Sequence, residues 1–376
     1  MAAAGDTTAP LSPYASLQAE YSSNVFSLPD ADQAQIENDG DRRLSDQSLR
    51  GIVGLSARLP LGLQTLRATV EGRRFDFLHF DRLDHNEYLL GGGIDWVLTD
   101  FLDGTAEVRQ QRRLAPFMDR VSTQLTMETE RLGIASVDLD IGNDLRLESG
   151  FRIRSLDSPL PAFPDFVLNE RTADIALKYA LGRGLDTGLY GQYVDGDFKG
   201  VPAAGRFDAQ SLGISLDYTI DRLSRVGSQL GYTVRRDRST DNGRSSAVTG
   251  KFSYRRELSG KTSAMVDVFR RVNSYVGDAS TVQETGVGTS ADWAATAKIA
   301  VALSYQYGVS RFRQSGTSTT AANRLDHIHV GSLSVGWQAL PWLLVKPYLA
   351  YQQRESSVAR NQFEALVTGL ELRARL

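Results

Sequence analysis

Several residue types and patterns are missing from this chain of 376 residues, and each absence narrows its class. There is no cysteine, so disulfides are excluded, and the absence suits an oxidising compartment where free thiols would react. No apolar run approaches 18 residues, which excludes a transmembrane helix. The start, MAAAGDTTAP, lacks the basic and apolar regions of a signal peptide, as expected of an exported chain after its removal.

Patterns for catalysis and for nucleic-acid binding are also missing. The four histidines are His79, His85, His327 and His329, and no G-x-S-x-G, H-E-x-x-H or carboxylate–histidine cluster accompanies them. His327 and His329 could contact a metal ion, but a tetrahedral site needs more ligands than the sequence offers nearby. No basic run suits nucleic acid. We therefore expect no enzymatic activity, no cofactor, no metal site and no nucleic-acid partner.

What the chain does have is alternation of apolar and polar residues. In NEYLLGGGIDWVLTDFLDGTAEVRQQRR, at 86–113, one parity carries Tyr88, Leu90 and Ile94, and the other carries Glu87 and Asp95. Successive side chains of a strand point to opposite faces, so such strands have one apolar and one charged face. A net charge of −3 and a mean hydropathy of −0.27 agree with an outer-membrane barrel, because half of each strand then faces water.

Short breaks recur about every 40 residues, and longer polar stretches alternate with them. The short breaks lie at 58–63, 99–104, 141–144, 181–185, 219–224, 257–261, 295–298 and 339–342. Two runs of about 12–14 residues fill each period, more than the 9–11 that cross a bilayer, whereas a β-propeller blade would hold four short strands. The spacing predicts an all-β fold: a closed antiparallel transmembrane β-barrel of about 18 strands, with short periplasmic turns and long extracellular loops.

The same pattern predicts the domain organisation and the pore. We expect a flexible N-terminal segment at 1–10 and a single outer-membrane barrel at 11–376, wide enough for an aqueous lumen. The predicted pore-lining residues are Arg50, Arg58, Arg67, Arg73, Arg109, Arg113, Arg146, Arg152, Arg154, Arg225, Arg235, Lys251, Arg255, Arg271, Glu107 and Asp217. The predicted membrane-interface residues, all near short breaks, are Trp96, Trp293, Trp337 and Trp342.

Basic residues outnumber acidic ones among the inward positions that the pattern identifies. A subset is expected near the long loops, where it would favour anionic solutes: Arg73, Arg113, Arg154, Arg235, Arg255 and Arg271. The alternative is that the inward charges pair across strands and only keep the lumen wet. Two features follow the pattern poorly, because residues 120–134 have no clear phase, and Phe75 and Phe77 fall on the polar parity.

Two stretches resemble a known family. PYASLQAEYSSNVFSL at 13–28 and LDHNEYLLGGGIDWVLTDFLDGTAEVRQQRRLAPF at 83–117 are similar to exopolysaccharide-biosynthesis outer-membrane β-barrel porins of the EpsL type. The resemblance covers essentially the whole chain as a strand-and-turn pattern. One departure is the end, ELRARL, since barrels of this class commonly end on an aromatic residue and Leu376 holds that position here. The resemblance implies passage of a secreted polysaccharide across the outer membrane.

Three functions therefore stay open at this point. The first is an export pore for an exopolysaccharide with an Arg-rich lumen, with outer-membrane lipid and periplasmic polysaccharide-export components as partners. The second is a general diffusion porin for small anionic solutes, and the third is a structural or adhesin barrel. An export pore predicts few loops folded into the lumen, a diffusion porin predicts a constricting loop inside it, and an adhesin predicts a lumen closed by side chains.

Overall fold

The computed structural model describes residues 10–38, 40–119, 122–159, 164–200, 205–238, 243–275, 280–313 and 324–375, and these contain eighteen strands. The strands are β1 Leu11–Ser22, β2 Asp46–Leu61, β3 Gln64–Phe77, β4 His85–Thr99, β5 Leu102–Leu114, β6 Met127–Ile141, β7 Leu145–Asp157, β8 Val167–Gly182, β9 Leu185–Lys199, β10 Arg206–Asp221, β11 Ser224–Asp237, β12 Arg244–Ser259, β13 Thr262–Tyr275, β14 Ser280–Trp293, β15 Ile299–Arg313, β16 Leu325–Leu340, β17 Leu343–Ser356 and β18 Phe363–Arg375.

Each strand pairs antiparallel with its neighbours in the sequence, and the sheet closes on itself. Tyr14 of β1 lies opposite Gly54 of β2 on one side and Arg375 of β18 on the other. Closure pairs the backbone groups that an open edge would leave unsatisfied in lipid. The predicted closed antiparallel barrel of 18 strands is therefore confirmed.

The outer face is an apolar belt and the inner face is polar. Val53, Val108 and Leu212 expose 70%, 66% and 71% of their surface, and each sits on the outward parity. A contiguous apolar surface of this kind is stable in lipid and not in water. Apolar and polar residues therefore alternate in the sequence because the outer face contacts the bilayer and the inner face contacts water.

The short connections all lie at one rim. The turns between β2 and β3, β4 and β5, and each later pair of an even and an odd strand coincide to within one residue with the eight predicted breaks, which confirms those breaks. In the turn between β8 and β9, Arg183 and Gly184 have φ values of 55° and 76°, as a two-residue type I′ hairpin turn requires. This rim is called the turn rim below, and the opposite one the loop rim.

Three loops at the loop rim share a hydrophobic cluster of their own. They are L1 (23–45), L2 (78–84) and L3 (115–126), and L1 contains the helix α1, Ala31–Glu37. Asp30 caps that helix by accepting a hydrogen bond from the Gln33 amide at 2.8 Å. The members of the cluster, called the loop core, are Phe26, Leu28, Ala34, Phe80, Leu83 and Phe117. Among the described residues, no helix is long and apolar enough to cross a membrane.

Short 3-10 turns help the loops to bend back over the barrel. They lie at Asp81–Leu83 in L2, Phe117–Asp119 in L3 and Ala359–Asn361 between β17 and β18. The Asp46 carboxylate at the start of β2 accepts the Phe80 amide at 2.9 Å, which draws L2 inward. The loop core is therefore anchored to the barrel wall by hydrogen bonds as well as by packing.

The structure explains both features that followed the pattern poorly. Phe75 and Phe77 do face inward, where the Phe75 ring stacks on His85 at 4.5 Å and lies 4.2 Å from the Arg50 guanidinium carbon. Residues 122–134 combine the end of L3 with the first half of β6, and residues 120–121 lie outside the described ranges. The predicted N-terminal segment at 1–10 stays a prediction, since 1–9 lie outside the described residues, as does Leu376.

Candidate functional site

Some side chains extend over the neighbouring strand and contact a side chain on the strand beyond it, and these contacts identify the face that lines the lumen. The Tyr14 hydroxyl on β1 donates to Glu71 on β3 at 2.5 Å, above Gly54 of the intervening β2. Lys178 on β8 lies 3.0 Å from Glu148 on β7 and 3.4 Å from Asp217 on β10. Such contacts are possible only on the concave side of a curved sheet. The charged parity therefore lines the inside.

Ion pairs form a ladder on the inner wall below the loop rim, from β3 to β8. Arg113 lies 2.7 Å from Glu128, and Arg154 lies 2.7 Å from Glu130 and 3.1 Å from Glu170. These carboxylates are largely buried, and a buried charge without a partner is costly. The ladder therefore fixes the guanidinium groups in position along one side of the lumen.

The ladder continues toward β3 through a second pair of acids. Arg73 contacts both Glu71 and Glu87, the latter at 3.3 Å. Glu87 also accepts the main-chain amide of Leu114, at 2.9 Å, where β5 leads into L3. The wall charges and the loop entrance are thus part of one hydrogen-bonded network.

A polar bridge crosses the lumen near the loop rim between β8 and β13. The Ser274 hydroxyl on β13 donates to Glu170 on β8 at 3.3 Å, and Arg235 on β11 donates to Ser274 at 2.9 Å. In a circular barrel of 18 strands, the backbones of β8 and β13 would be roughly 25–30 Å apart. The wall from β8 to β13 therefore curls inward and closes a lobe at this end.

The closed lobe is filled by apolar side chains. Arg235 is 3% exposed, and its guanidinium carbon lies 3.8 Å from the centre of the Phe207 ring. The members of this cluster are Leu156, Phe166, Leu168, Phe198 and Phe207. The open part of the mouth at the loop rim therefore lies on the other side of the bridge.

L3 narrows that remaining side. Arg354 on β17 is 4% exposed and donates through Nη1 to the main-chain oxygen of Met118 in L3. Its Nε lies 3.6 Å from Asp326, which also binds Arg324. Five strands, β18 and β1 to β4, separate β17 from β5, so this contact joins parts of the wall that lie about a third of the way round the barrel from each other. L3 therefore extends inward over part of the mouth and is held by a distant part of the wall.

Deeper in the barrel, several cations point into open lumen. Among the described residues, Arg58, Arg152, Arg225 and Lys251 have no carboxylate within ion-pair distance, and all four are exposed. A recess of about 670 Å³ opens on the wall between β7 and β15. Its polar lining includes Lys178, Tyr190, Gln192, Gln229, Lys251, Asp267 and Gln306. The recess offers both hydrogen-bond donors and acceptors to a small polar solute.

Every predicted pore-lining residue lies on the inward parity. The cations with an acidic partner are Arg67, Arg73, Arg109, Arg113, Arg146, Arg154, Arg235, Arg255 and Arg271. Asp217 pairs with Lys178, and Arg50 donates to Gln18 at 3.2 Å. Glu107 lies on β5 opposite Gly93 and Ile134. Nine of the fourteen predicted cations thus have an acidic partner, seven of them across strands, while Arg235 and Arg255 pair with an acid on their own strand.

Two expectations about the charges were wrong. Arg255 lies near the turn rim and not near the long loops, because β12 starts at the loop rim with Arg244 and runs away from it. The excess of basic residues also disappears, because the inward parity carries further acids: Glu20, Asp46, Glu128, Glu130, Glu170, Asp237, Glu284 and Asp326. Glu128 and Glu130 share the parity of Asp138 on β6, so counting back in steps of two would have found them.

The tryptophans lie at the turn rim. Trp96 packs against the outer face of Gly104 and lies three positions before the end of β4, and Trp293 ends β14. Trp337 lies opposite Ile299 and Val345, and Trp342 lies in the turn between β16 and β17. Their placement on the outer surface is that of an interfacial aromatic girdle.

The histidines that could have suggested a metal site point away from the lumen. His327 and His329 face outward on β16, where Tyr307 and Tyr305 hydrogen-bond to them at 2.7 and 2.8 Å. Within the ranges that the structure describes, no group of three or more potential metal ligands comes together. The lumen is therefore the site that carries the polar chemistry of this barrel.

No family model and no curated protein matches the chain, so the resemblance to exopolysaccharide porins stays untested. Solved structures are similar to it over almost their whole length. OccK9 (OpdG) of Pseudomonas aeruginosa has a TM-score of 0.52 and 14% identity, with 97% of this chain and 98% of that chain covered. OccK2 (OpdF) of the same organism has a TM-score of 0.52 and 12% identity, with the same coverage. OccAB2 of Acinetobacter baumannii has a TM-score of 0.51 and 11% identity, again with 97% and 98% covered. At these identities the similarity confirms the fold, a multi-pass outer-membrane β-barrel.

Proposed function

We propose that the barrel is a channel for passive diffusion of small hydrophilic solutes across the outer membrane. The observation that carries the proposal is the contact between Met118 in L3 and Arg354 on β17, five strands away from β5. A pore for a polymer needs a path that no loop crosses, whereas a channel for small solutes gains selectivity from a loop that narrows it. The position of L3 supports the second arrangement.

The preferred solutes in this proposal are small and hydroxyl-rich, and carry a carboxylate. Arg152 and Lys251 are exposed and have no carboxylate within ion-pair distance among the described residues, and the recess that Lys251 shares with Asp174 and Asp267 adds amide and hydroxyl groups. Guanidinium groups donate to carboxylates in a planar fork, while amides and hydroxyls serve sugar hydroxyls. Several weak contacts suit a channel, because its solute must also leave.

A structural neighbour supplies a suitable probe. OccK2 (OpdF) has been solved in complex with glucuronate, a sugar acid. Glucuronate combines the carboxylate and the hydroxyl groups that the exposed cations and the recess of this chain would bind. Export of a polysaccharide is not proposed, since none of the contacts among the described residues favours it over diffusion of small solutes.

The experiment is a flux measurement with purified protein in liposomes. Glucuronate, glucose and glucosamine have similar sizes but are anionic, neutral and cationic, so their rates isolate the effect of charge. We expect glucuronate to enter fastest in the wild type, and Lys251→Gln to remove most of that preference. Lys346→Gln is the matched control, because Lys346 faces the lumen on β17 but does not line the recess.

The outcomes separate the two parts of the proposal. Liposomes that admit none of the three sugars would rule out a diffusion channel. Equal rates for all three sugars would leave the channel intact and refute the preference for sugar acids. If Lys251→Gln and Lys346→Gln reduce the preference for glucuronate equally, the preference depends on the total charge of the lumen and not on the recess.

A further inference from the structure

We infer that the outer surface of β3 to β8 holds a specific lipid, a phosphorylated and acylated lipid of the leaflet at the loop rim. The first observation is a group of outward arginines near that rim. Arg112 on β5, Arg131 on β6 and Arg171 on β8 are all exposed on the outward parity. Their guanidinium groups therefore face lipid and not the lumen.

The three arginines form one patch. Arg131 pairs with Gln110 of β5, two positions from Arg112, and with Ser155 of β7, two positions from Ile153, which is the partner of Arg171. Strands are about 4.8 Å apart, so the patch is roughly 15 Å wide. Among the described residues none of the three has an ion-pair partner within 4.0 Å, although Asp195 lies opposite Arg171. Their charge is free for a ligand.

The patch lies at the depth of lipid headgroups. Gly104 marks the turn-rim girdle because Trp96 packs on it, and Arg112 is about eight residues further along the same strand. Eight residues cover roughly 27 Å along a strand and roughly 20 Å along the membrane normal at a tilt near 40°. The apolar belt of a barrel is about 25 Å tall, so the arginines reach the opposite interface.

The second observation is an apolar groove directly below the patch. It has a volume of about 510 Å³ and is floored by small residues, among them Gly92, Gly133 and Ala135. Val108 and Ile153 are exposed at its sides. A Cβ atom built on Gly133 would meet no heavy atom within 4 Å, so the space above it is open. The groove follows the strands away from the arginines, toward the middle of the membrane.

The arginine patch and the apolar groove together indicate which ligand binds this surface. Phosphate oxygens accept paired hydrogen bonds from guanidinium groups, and an acyl chain fills a shallow apolar groove. Free phosphate would use the arginines and leave the groove empty, while a second copy of this chain would bring like charges together. A lipid with phosphate on its headgroup is the ligand whose two parts match both features.

The test is lipid retention by the purified full-length protein in detergent, measured by native mass spectrometry. The probes are a diphosphorylated lipid A, its monophosphorylated form and phosphatidylcholine, offered in equal amounts. We expect the wild type to retain the diphosphorylated lipid best. The triple variant Arg112→Gln, Arg131→Gln, Arg171→Gln should retain it about tenfold less or worse. Gly133→Leu should also weaken retention, because the new side chain fills the groove and leaves the charge unchanged.

The control variant carries Arg270→Gln and Arg311→Gln, two exposed outward arginines on β13 and β15 that have no part in the groove. It should retain lipid like the wild type. Equal retention of all three lipids by the wild type would show that this surface binds lipids without specificity, and it would overturn the inference. Full retention by the triple variant, or losses in the control as large as in the triple variant, would overturn it as well.

Discussion

Arg354 on β17 donates a hydrogen bond to the main-chain oxygen of Met118 in L3, with β18 and β1 to β4 lying between the two walls. The bond joins a buried side chain to a loop that begins about a third of the way round the barrel. On the inner wall near β5, Glu87 binds the amide of Leu114 just before the loop. L3 is thereby held at both ends of its path across the lumen.

Release of that contact should widen the channel. Arg354→Gln keeps a polar side chain but removes the guanidinium group that reaches Met118, so L3 should sample positions away from β17. We expect a higher and noisier single-channel conductance in planar bilayers. Arg271→Gln is the control, since Arg271 pairs with Glu284 on the wall and is more exposed. Identical conductance traces for Arg354→Gln and the wild type would mean that L3 does not limit ion flow.

Charge selectivity should depend on whether an arginine has a partner. Arg152 is exposed and unpaired among the described residues, so Arg152→Gln removes one free positive charge and should shift the reversal potential toward cations. Arg154→Gln should shift it too, and also lower stability, because Glu130 and Glu170 then lack their nearest cation. Reversal potentials under a salt gradient, together with unfolding curves, separate the two effects. If neither variant changes the reversal potential, the inward charges only keep the lumen wet.

The two parities of one strand should respond very differently to the same substitution. Leu303 is 53% exposed on the lipid side of β15, and Ser304 faces the lumen, where its hydroxyl hydrogen-bonds to Ser332. Leu303→Arg should lower the free energy of unfolding by about 2–4 kcal/mol if it lies near the midplane. Ser304→Arg should cost far less. Reversible unfolding in lipid measures both values, and similar costs would contradict the assignment of the two faces.

The loop rim should face outward in cells. The chain has no cysteine, so single cysteines can be introduced without background. Ile36 in L1 is 76% exposed, and Leu223 in the turn between β10 and β11 is 53% exposed. We expect Ile36→Cys to react with a membrane-impermeant maleimide on intact cells, and Leu223→Cys to react only after the cells are opened. The reverse pattern would show that the barrel is inserted the other way round.

Acid should loosen the contact between L1 and L2. The Asp41 carboxylate accepts a hydrogen bond from His79 Nε2 at 2.8 Å, and this bond holds the pKa of Asp41 below its ordinary value. A lowered pKa means that the contact stabilises the folded loop above the ordinary pKa and is lost as the pH falls through the lowered one. Hydrogen exchange of L1, corrected for its intrinsic pH dependence, should rise below about pH 4. Asp41→Asn should exchange faster already at neutral pH, and an unchanged rate in that variant would exclude a role for the pair.

The barrel wall could be predicted from the sequence because its causes are local. Alternation at a period of two assigns Leu212 to the lipid and Asp217 to the water, and turn residues such as Gly184 mark the ends of hairpins. Strand number and closure follow from that repeat, since a bilayer leaves no stable open edge.

The narrowing of the lumen could not be predicted in the same way. It depends on contacts between segments far apart in the chain, such as Phe26 of L1 with Phe117 of L3, whose ring centres are 5.1 Å apart. Phe75 and Phe77 broke the alternation because they serve this loop region and not the lipid. Glu128 and Glu130 of the ladder were missed because residues 120–134 showed no clear phase in the sequence. The positions of the loops depend on packing contacts between distant segments, and such contacts leave no periodic pattern in the sequence.

Solute size tests the central claim most directly, since a loop held across the mouth should admit small solutes and exclude larger ones. The measurement is the swelling rate of liposomes that contain the protein, with a pentose, a hexose, a disaccharide and a trisaccharide at equal osmolarity. The account predicts rates that fall steeply with size, by about tenfold or more from the hexose to the trisaccharide. Arg354→Gln should flatten that dependence. A trisaccharide that enters the wild type as fast as a hexose would contradict a lumen narrowed by L3.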